Sequence, residues 1–309
     1  MKNFIITVDT EGDNLWHYEQ GKEVTTRNAS YIPRFQYLCE KYGYKPVYLT
    51  NFEMANSTEY CDFAKTVLLN GNAEIGIHVH AWNNPPLHKM KGKDHGGNSY
   101  LIEYPDNIMY AKFKTTYDLI KNRFGITPKS HRSGRWAMDE RYFRLLEQFG
   151  IIADCSYTPG ISWTTATGQT VGHGSDYSKS PQTAHIVGKV LEVPMTIRHF
   201  NHYFGSGSLK HRLKTLLVGG HIWLRPALCS FSEMKHLVSV VHKEEDNDYL
   251  EFMIHSSELM PGGSPYFTTA KQIDVLFVKM ESLFDYVANL GYQGVTLADY
   301  ALQHSDLKE

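Results

Sequence analysis

The sequence predicts a mostly parallel α/β protein whose seven or eight strands close into a barrel. Short apolar runs alternate along the chain with segments of helical period, the pattern of repeated strand-helix units. Charged and imidazole side chains recur where those runs end, which a barrel explains because the carboxyl ends of parallel strands meet at one rim. The first run, Phe4 to Val8, ends in Asp9, Glu11 and Asp13, three acids spaced two apart. Crowded carboxylates raise one another's pKa, and a metal or a neighbouring guanidinium is the usual means of keeping them ionised. The chain must therefore supply a cation at the end of its first strand.

Tyr31, Phe35, Leu38 and Cys39 recur at helical spacing, with Ser30 as the expected N-cap, Pro33 in the first turn and Gly43 as the stop. Pro46 to Thr50 reads as a short buried strand, and a helix from Tyr60 to Leu69 ends at Asn70-Gly71. A third strand runs from Glu74 to His80. Asn83, Asn84, Pro85, Pro86, Gly92, Gly96 and Gly97 then mark a long irregular loop. A helix from Asp106 to Phe124 stops at Gly125 and leads to Ser130 through Trp136, and a further helix spans Asp139 to Phe149. Ile151 to Asp154 makes a strand, Tyr157 to Gly188 is loop-rich, and Val190 to Pro194 and Glu251 to His255 are further strands. The last long helix, Ala270 to Leu290, is capped by Gly291 and followed by Gly294 to Leu297.

With 309 residues and 42% hydrophobic composition the chain can bury one large core, so residues 1–309 read as a single domain with an insertion near 199–230. The formal net charge of -2 and pI near 6.8 leave no global electrostatic footprint for nucleic acid. Cys39, Cys61, Cys155 and Cys229 form no CxxC pair, which argues for reduced core thiols over a structural zinc site or a disulfide framework. The chain opens without the apolar core of a secretory signal and has no run long enough to span a bilayer, so the expected compartment is the cytoplasm. Between His199 and Arg225, Lys210, Arg212 and Lys214 lie among Leu209, Leu213, Leu216 and Trp223. This is an amphipathic helix, either laid on the barrel or turned toward a membrane surface at the inner face.

His78 and His80 are two apart on a predicted strand, so they leave the same face, as two ligands of one metal must. Asp9 and Glu11 obey the same rule. Two imidazoles and a carboxylate around an open position suit Zn²⁺, or Fe²⁺ and neighbouring divalent ions, in a hydrolytic site. A hydrogen-bonded polar pair gives the same His-x-His signature; the acidic turn is what favours the metal.

Thr7 to Asp13, Glu74 to Trp82, Arg132 to Trp136, Asp154 to Ser156 and Ile254 to Leu259 together resemble the ordered motifs of polysaccharide deacetylases of the NodB-homology type, carbohydrate esterases. The resemblance implies a distorted (β/α) barrel, a divalent metal, most simply Zn²⁺, and removal of an N- or O-acetyl group from a saccharide or glycan precursor. It also implies Asp9 as catalytic base, His255 as the acid, Arg132 holding Asp9 ionised, Asp154 orienting His255, and His78 as a metal ligand. Two positions depart from the commoner pattern: Trp82 stands where the second histidine is usual, and Thr10 where the metal carboxylate is usual. His80, or else His88, then takes the second imidazole position, and Glu11, or else Asp13, the carboxylate position. Arg135, Trp82, Trp136 and Trp163 are the expected saccharide contacts, the tryptophans by stacking on sugar faces. Two other functions fit the same residues: a metal-dependent hydrolase of a small non-sugar amide, and a saccharide-binding protein without catalysis.

Overall fold

Ile5, Thr7 and Asp9 leave one face of β1 (Asn3–Thr10) and Phe4, Ile6 and Val8 the other; every residue of the strand is buried. The computed structural model describes residues 2–13, 15, 18, 22–90, 98–170, 173–203, 205–206 and 209–304. Gly92, Gly96 and Gly97 of the expected long loop lie outside the described residues. After β1 come α1 (Ile32–Lys41), β2 (Val47–Thr50), α2 (Phe52–Asn56), α3 (Thr58–Leu69), β3 (Glu74–Val79), α4 (Asp106–Phe124), β4 (Ser130–Ser133), α5 (Glu140–Gln148) and β5 (Ala153–Asp154). The chain continues through β6 (His185–Val187), β7 (Val190–Glu192), β8 (Ile197–Phe200), α6 (Leu209–Val218), β9 (Gly220–Trp223), α7 (Phe231–Val241), β10 (Tyr249–His255), α8 (Ala270–Asn289), β11 (Gln293–Gly294) and α9 (Leu297–Gln303).

The main sheet runs β10-β1-β2-β3-β4-β5-β7-β6, with β11 beside β1, and every pairing in it is parallel except β6 with β7. It curls into a distorted (β/α) barrel. At the carboxyl end the wall is completed by irregular backbone: Leu224 N–H donates to Thr196 C=O at 3.0 Å, and Leu224 C=O accepts from Met253 N–H of β10 at 3.2 Å. The outward faces of the strands pack against the helices in one large apolar core. Inside, Ile5, Val47, Leu49, Ala153, Leu191 and Tyr249 fill the amino-terminal half, and Leu297, Tyr300 and Ala301 of α9 plug it. Beside this apolar filling the interior holds a buried polar group of Thr7, Asp9, Arg132 and Glu251.

Register brings the distant motifs together: Asp9 lies opposite His255, and His78 opposite Arg132. The glycine stops act as expected, with Gly125 at φ 70° and Gly291 at φ 84°, left-handed positions that a side chain would strain. Ser30 is not the cap of α1; its hydroxyl donates to Arg27 C=O inside a 3₁₀ turn over Arg27–Tyr31, and the helix begins after that turn. All four cysteines are buried and free. The 199–225 region forms a separate antiparallel pair, β8 with β9, carrying α6 between its strands. Among the described residues no helix is long and apolar enough to cross a membrane.

Candidate metal centre and active site

The three acids after β1 meet three different partners. Asp9 Oδ1 accepts from Arg132 Nη1 at 2.7 Å. Asp13 is taken up by Arg27 and Thr25: its Oδ2 accepts from Arg27 Nη2 at 2.9 Å and Thr25 Oγ1 at 2.9 Å, and its Oδ1 from Arg27 N–H at 2.9 Å. Asp13 therefore shapes the loop and is not available as a ligand. Glu11 Oε2 faces imidazoles, 2.5 Å from His80 Nε2 and 3.5 Å from His78 Nε2. The backbone pins it there, since Glu11 N–H donates to Ser256 Oγ at 3.1 Å and Glu11 C=O accepts from Asn28 Nδ2 at 2.7 Å. Thr10, at the usual carboxylate position, turns back and donates to Val8 C=O.

Glu11, His78 and His80 each offer one donor atom, all within 4.8 Å of one another. His78 Nδ1 lies 2.8 Å from Arg132 C=O, so it carries the hydrogen and leaves the Nε2 lone pair for the centre. His80 Nε2 is 3.0 Å from His78 Nε2, while His80 Nδ1 is buried with no partner among the described residues. The ring of His80 sits where a side chain at 134 would be: a Cβ on Gly134 would fall 2.8 Å from its Nδ1 and 2.5 Å from Val79 O. Burial depresses the His80 imidazole, whereas for His78 the carboxylates of Asp9 and Glu11 outweigh burial and raise it. For Glu11 the same two opposing influences end the other way, as His80 and His255 overcome burial and hold the carboxyl well below its ordinary range. Two neutral-capable imidazoles and an ionised carboxylate converging on one point fit a divalent metal of the zinc type, with room for further ligands. His88 is exposed, against Tyr104, and takes no part in this cluster.

Beneath the centre, Arg132 is fully buried and shared. It donates to Asp9, to Thr7 Oγ1 at 2.7 Å, to Glu251 Oε1 at 2.5 Å and to Cys155 C=O at 3.0 Å. Burial would raise the Asp9 carboxyl, but Arg132, with His78 and His255, holds it below its ordinary value. Because Oδ1 is occupied by the guanidinium, Oδ2 is the oxygen turned toward His255, whose Nε2 lies 3.7 Å away. His255 Nε2 is also 3.8 Å from Glu11 Oε1.

Asp154 does not orient His255. Ala153 faces the barrel interior, so Asp154, one residue on, faces the helices, where its Oδ1 is 2.6 Å from His131 Nδ1. His131 Nε2 in turn meets Tyr142 Oη of α5 at 2.8 Å. The groups on His255 Nδ1 are Arg225 Nη2 at 3.1 Å and Glu258 Oε1 at 3.4 Å, and those two pair with each other at 2.9 Å. Burial would raise Glu258, yet Arg225 and His255 bring it down to about 2. Glu258 lies inside the quoted Ile254–Leu259 motif, whereas nothing local in the sequence ties Arg225 to it.

A cavity of about 520 Å³ opens over these groups, lined by Asp9, Glu11, His78, His80 and His255 at its floor. Trp82, Trp136, Trp163 and Arg135 all stand in its wall, joined by Tyr100 and Tyr266 and by Trp223 and Arg225, which the sequence placed in the amphipathic 199–225 segment and not at the site. Trp223 bridges the wall, 6.4 Å from the Trp136 ring and 6.5 Å from that of Trp163. Arg135 and Trp136 both have positive φ, 57° and 63°, an unusual backbone for bulky residues of the kind found where a site dictates side-chain direction. The Arg135 guanidinium lies 4.0 Å over the Tyr100 ring and donates to Asn98 and Thr167 carbonyls.

No family model and no curated protein matches this sequence. Solved structures do. Over 99% of this chain and 72% of the other, the fold is similar to that of a putative glycoside hydrolase/deacetylase from Parabacteroides distasonis, with a TM-score of 0.62 at 9% identity. It is also similar to 4-alpha-glucanotransferase from Thermococcus litoralis, with a TM-score of 0.51 at 10% identity over 98% of this chain, which spans 38% of that one. A putative polysaccharide deacetylase from Mycobacterium smegmatis aligns over 96% of this chain and 94% of its own, with a TM-score of 0.47 at 12% identity. At these identities the likeness to the first two establishes the fold alone, a distorted (β/α) barrel.

Proposed function

We propose that this protein is a metal-dependent deacetylase that removes an N- or O-acetyl group from a saccharide or glycan precursor. One observation carries the reading: Glu11, His78 and His80 converge at the floor of an aromatic-walled cavity that also presents an ionised Asp9 and an imidazole, His255. A divalent ion, Zn²⁺ by the donor set, would be held by those three residues and would polarise both a water and the acetyl carbonyl. Asp9, kept ionised by Arg132, accepts the water proton at Oδ2. Backbone N–H groups of Arg135 and Trp136 are the proposed donors to the developing oxyanion. His255 delivers a proton from Nε2 to the departing amine or alkoxide, with Arg225 and Glu258 fixing the ring from the far side. Trp82, Trp136 and Trp163 offer faces to the sugar, and Arg135 offers charge. On this reading residues 1–309 are one deacetylase domain and the β8–α6–β9 unit is its insertion.

Metal analysis coupled to an acetate-release screen over acetylated saccharides, lipid- and nucleotide-linked sugars and simple amides tests the reading. Asp9→Asn is expected to abolish acetate release with metal content nearly intact, and His80→Ala to lower both. An active, fully metallated His80→Ala protein would overturn the ligand assignment. Release from simple amides alone would move the protein to the amidohydrolase reading, and saccharide binding without metal to the binding-protein reading.

A further inference from the structure

Helix α6 is turned inside out for a helix on a globular surface. Leu209, Leu213, Leu216 and Leu217 are spaced i, i+4, i+7 and i+8, a single apolar stripe that ordinarily faces a core. Here the stripe faces outward: Leu209 is 71%, Leu213 50% and Leu217 69% exposed. Among the described side chains of the helix the one packed inward is Thr215, 1% exposed, whose hydroxyl accepts from Gly205 N–H at 3.0 Å and whose C=O accepts from Tyr203 N–H at 3.2 Å. Polar contacts thus hold the helix by its polar side and present its leucines.

The same helix carries Lys210, Arg212 and Lys214, and no Asp or Glu occurs anywhere in residues 193–232 of a chain whose net charge is -2. Lys210 and Lys214 are exposed and have no carboxylate partner among the described residues. An outward leucine stripe bordered by cations, on a helix lying against the body of the protein, has the composition of an in-plane interfacial helix. A second copy of the chain is a poor occupant, since a two-fold contact through this face would bring together two basic patches with no acid in residues 193–232 to pair them.

We infer that α6 docks the protein onto an anionic lipid bilayer surface, with the leucine stripe entering the acyl boundary and Lys210, Arg212 and Lys214 meeting lipid phosphates. Apolar insertion and a basic flank are the two signals that together give stable peripheral attachment. From the end of α6, β9 runs directly to Trp223 in the cavity wall, so the helix and the cavity are joined by one short strand. The docking itself is independent of the reaction assigned to that cavity.

Flotation of the full chain with vesicles of phosphatidylcholine alone, or with one quarter phosphatidylglycerol, tests this. The wild type is expected to float with the anionic vesicles about tenfold more than with the neutral ones and to be largely released by high salt. Leu213→Glu with Leu217→Glu is expected to lower the bound fraction about tenfold. Because both positions are exposed, the thermal midpoint of that variant should stay at the wild-type value. Lys210→Gln with Lys214→Gln should weaken binding to anionic vesicles only. Wild-type protein that stays in the aqueous fraction with anionic vesicles, or a leucine variant that floats like wild type, overturns the inference. So does a dimer in sedimentation velocity that the leucine variant splits, which would assign the stripe to a second copy.

Discussion

Replacing Arg132 by methionine, which keeps an apolar stem of similar length, removes the buried cation on which the polar group inside the barrel depends. The loss includes the contacts at 2.7 Å to Asp9, 2.7 Å to Thr7 and 2.5 Å to Glu251, with no solvent to take their place. Removing one member of such a buried ion pair costs about 3–5 kcal/mol, chiefly because the orphaned charges remain in a medium that solvates them poorly. The sign of the pH dependence follows from Asp9. Its folded pKa is depressed in the wild type, so its contribution to stability is present above the ordinary carboxyl value of 3.8 and is lost as the pH falls through the folded pKa. Without Arg132, burial raises Asp9 and drives Glu251, already raised, further up. The gap between wild type and variant should therefore open as the pH rises from below 4 and reach its full size near neutrality. In acid it should shrink to about 1–2 kcal/mol of lost hydrogen bonding. Urea unfolding in the presence of a chelator, followed across pH 4 to 8, measures the gap. Adding Asp9→Asn and Glu251→Gln to Arg132→Met should recover about 2 kcal/mol at pH 7 by removing the unpaired charges. A gap that does not change with pH, or a triple variant no more stable than the single one, would refute the reasoning.

Gly134→Ala places a Cβ 2.5 Å from Val79 O and 2.8 Å from His80 Nδ1, so the backbone or the ring must yield. Displacing a ligand's support should weaken Zn²⁺ binding about 10–100-fold, read by chelator competition. Asp154→Asn should cost stability, about 1–3 kcal/mol by thermal or urea unfolding, because Asp154 holds His131. Acetate release by the surviving folded fraction should stay near wild type; a loss with a changed pH profile would restore Asp154 to the reaction. Glu258 titrates at about 2 in the folded protein against an ordinary 4.5, which corresponds to about 3 kcal/mol. That stability is fully present above about pH 4.5 and is lost as the pH falls toward about 2, so Glu258→Gln should flatten this part of the acid unfolding curve.

What the sequence revealed and what it hid divide along the distinction between local period and spatial partner. Two-residue alternation put His78 and His80 on one face and Asp9 with Glu11; His78, His80 and Glu11 do meet, and Asp9 lines the same cavity. The same alternation, applied to β5, would have turned Asp154 away from the site, since Ala153 and Cys155 flank it and face the barrel. That error was one of method and not of information. The partners of Asp13 and His255 were hidden for a different reason. Arg27 reaches Asp13 only through the path of a loop, and Arg225 reaches Glu258 because Leu224 completes the wall beside β10, a closure that no local pattern encodes. For α6 the period revealed the stripe but could not say which way it faces. Once every partner is known, the carboxylates at the rim can be compared. Asp9 has the guanidinium of Arg132, Asp13 that of Arg27 and Glu258 that of Arg225, each a permanent charge. Among the described residues the cation-forming groups facing Glu11 are imidazoles, whose charge is not permanent. Of these four it is the one for which the described residues supply no fixed cation, and His78 and His80 turn their Nε2 atoms to the same point. A divalent ion there would complete a pattern of charge compensation that the other three carboxylates already satisfy from within the chain.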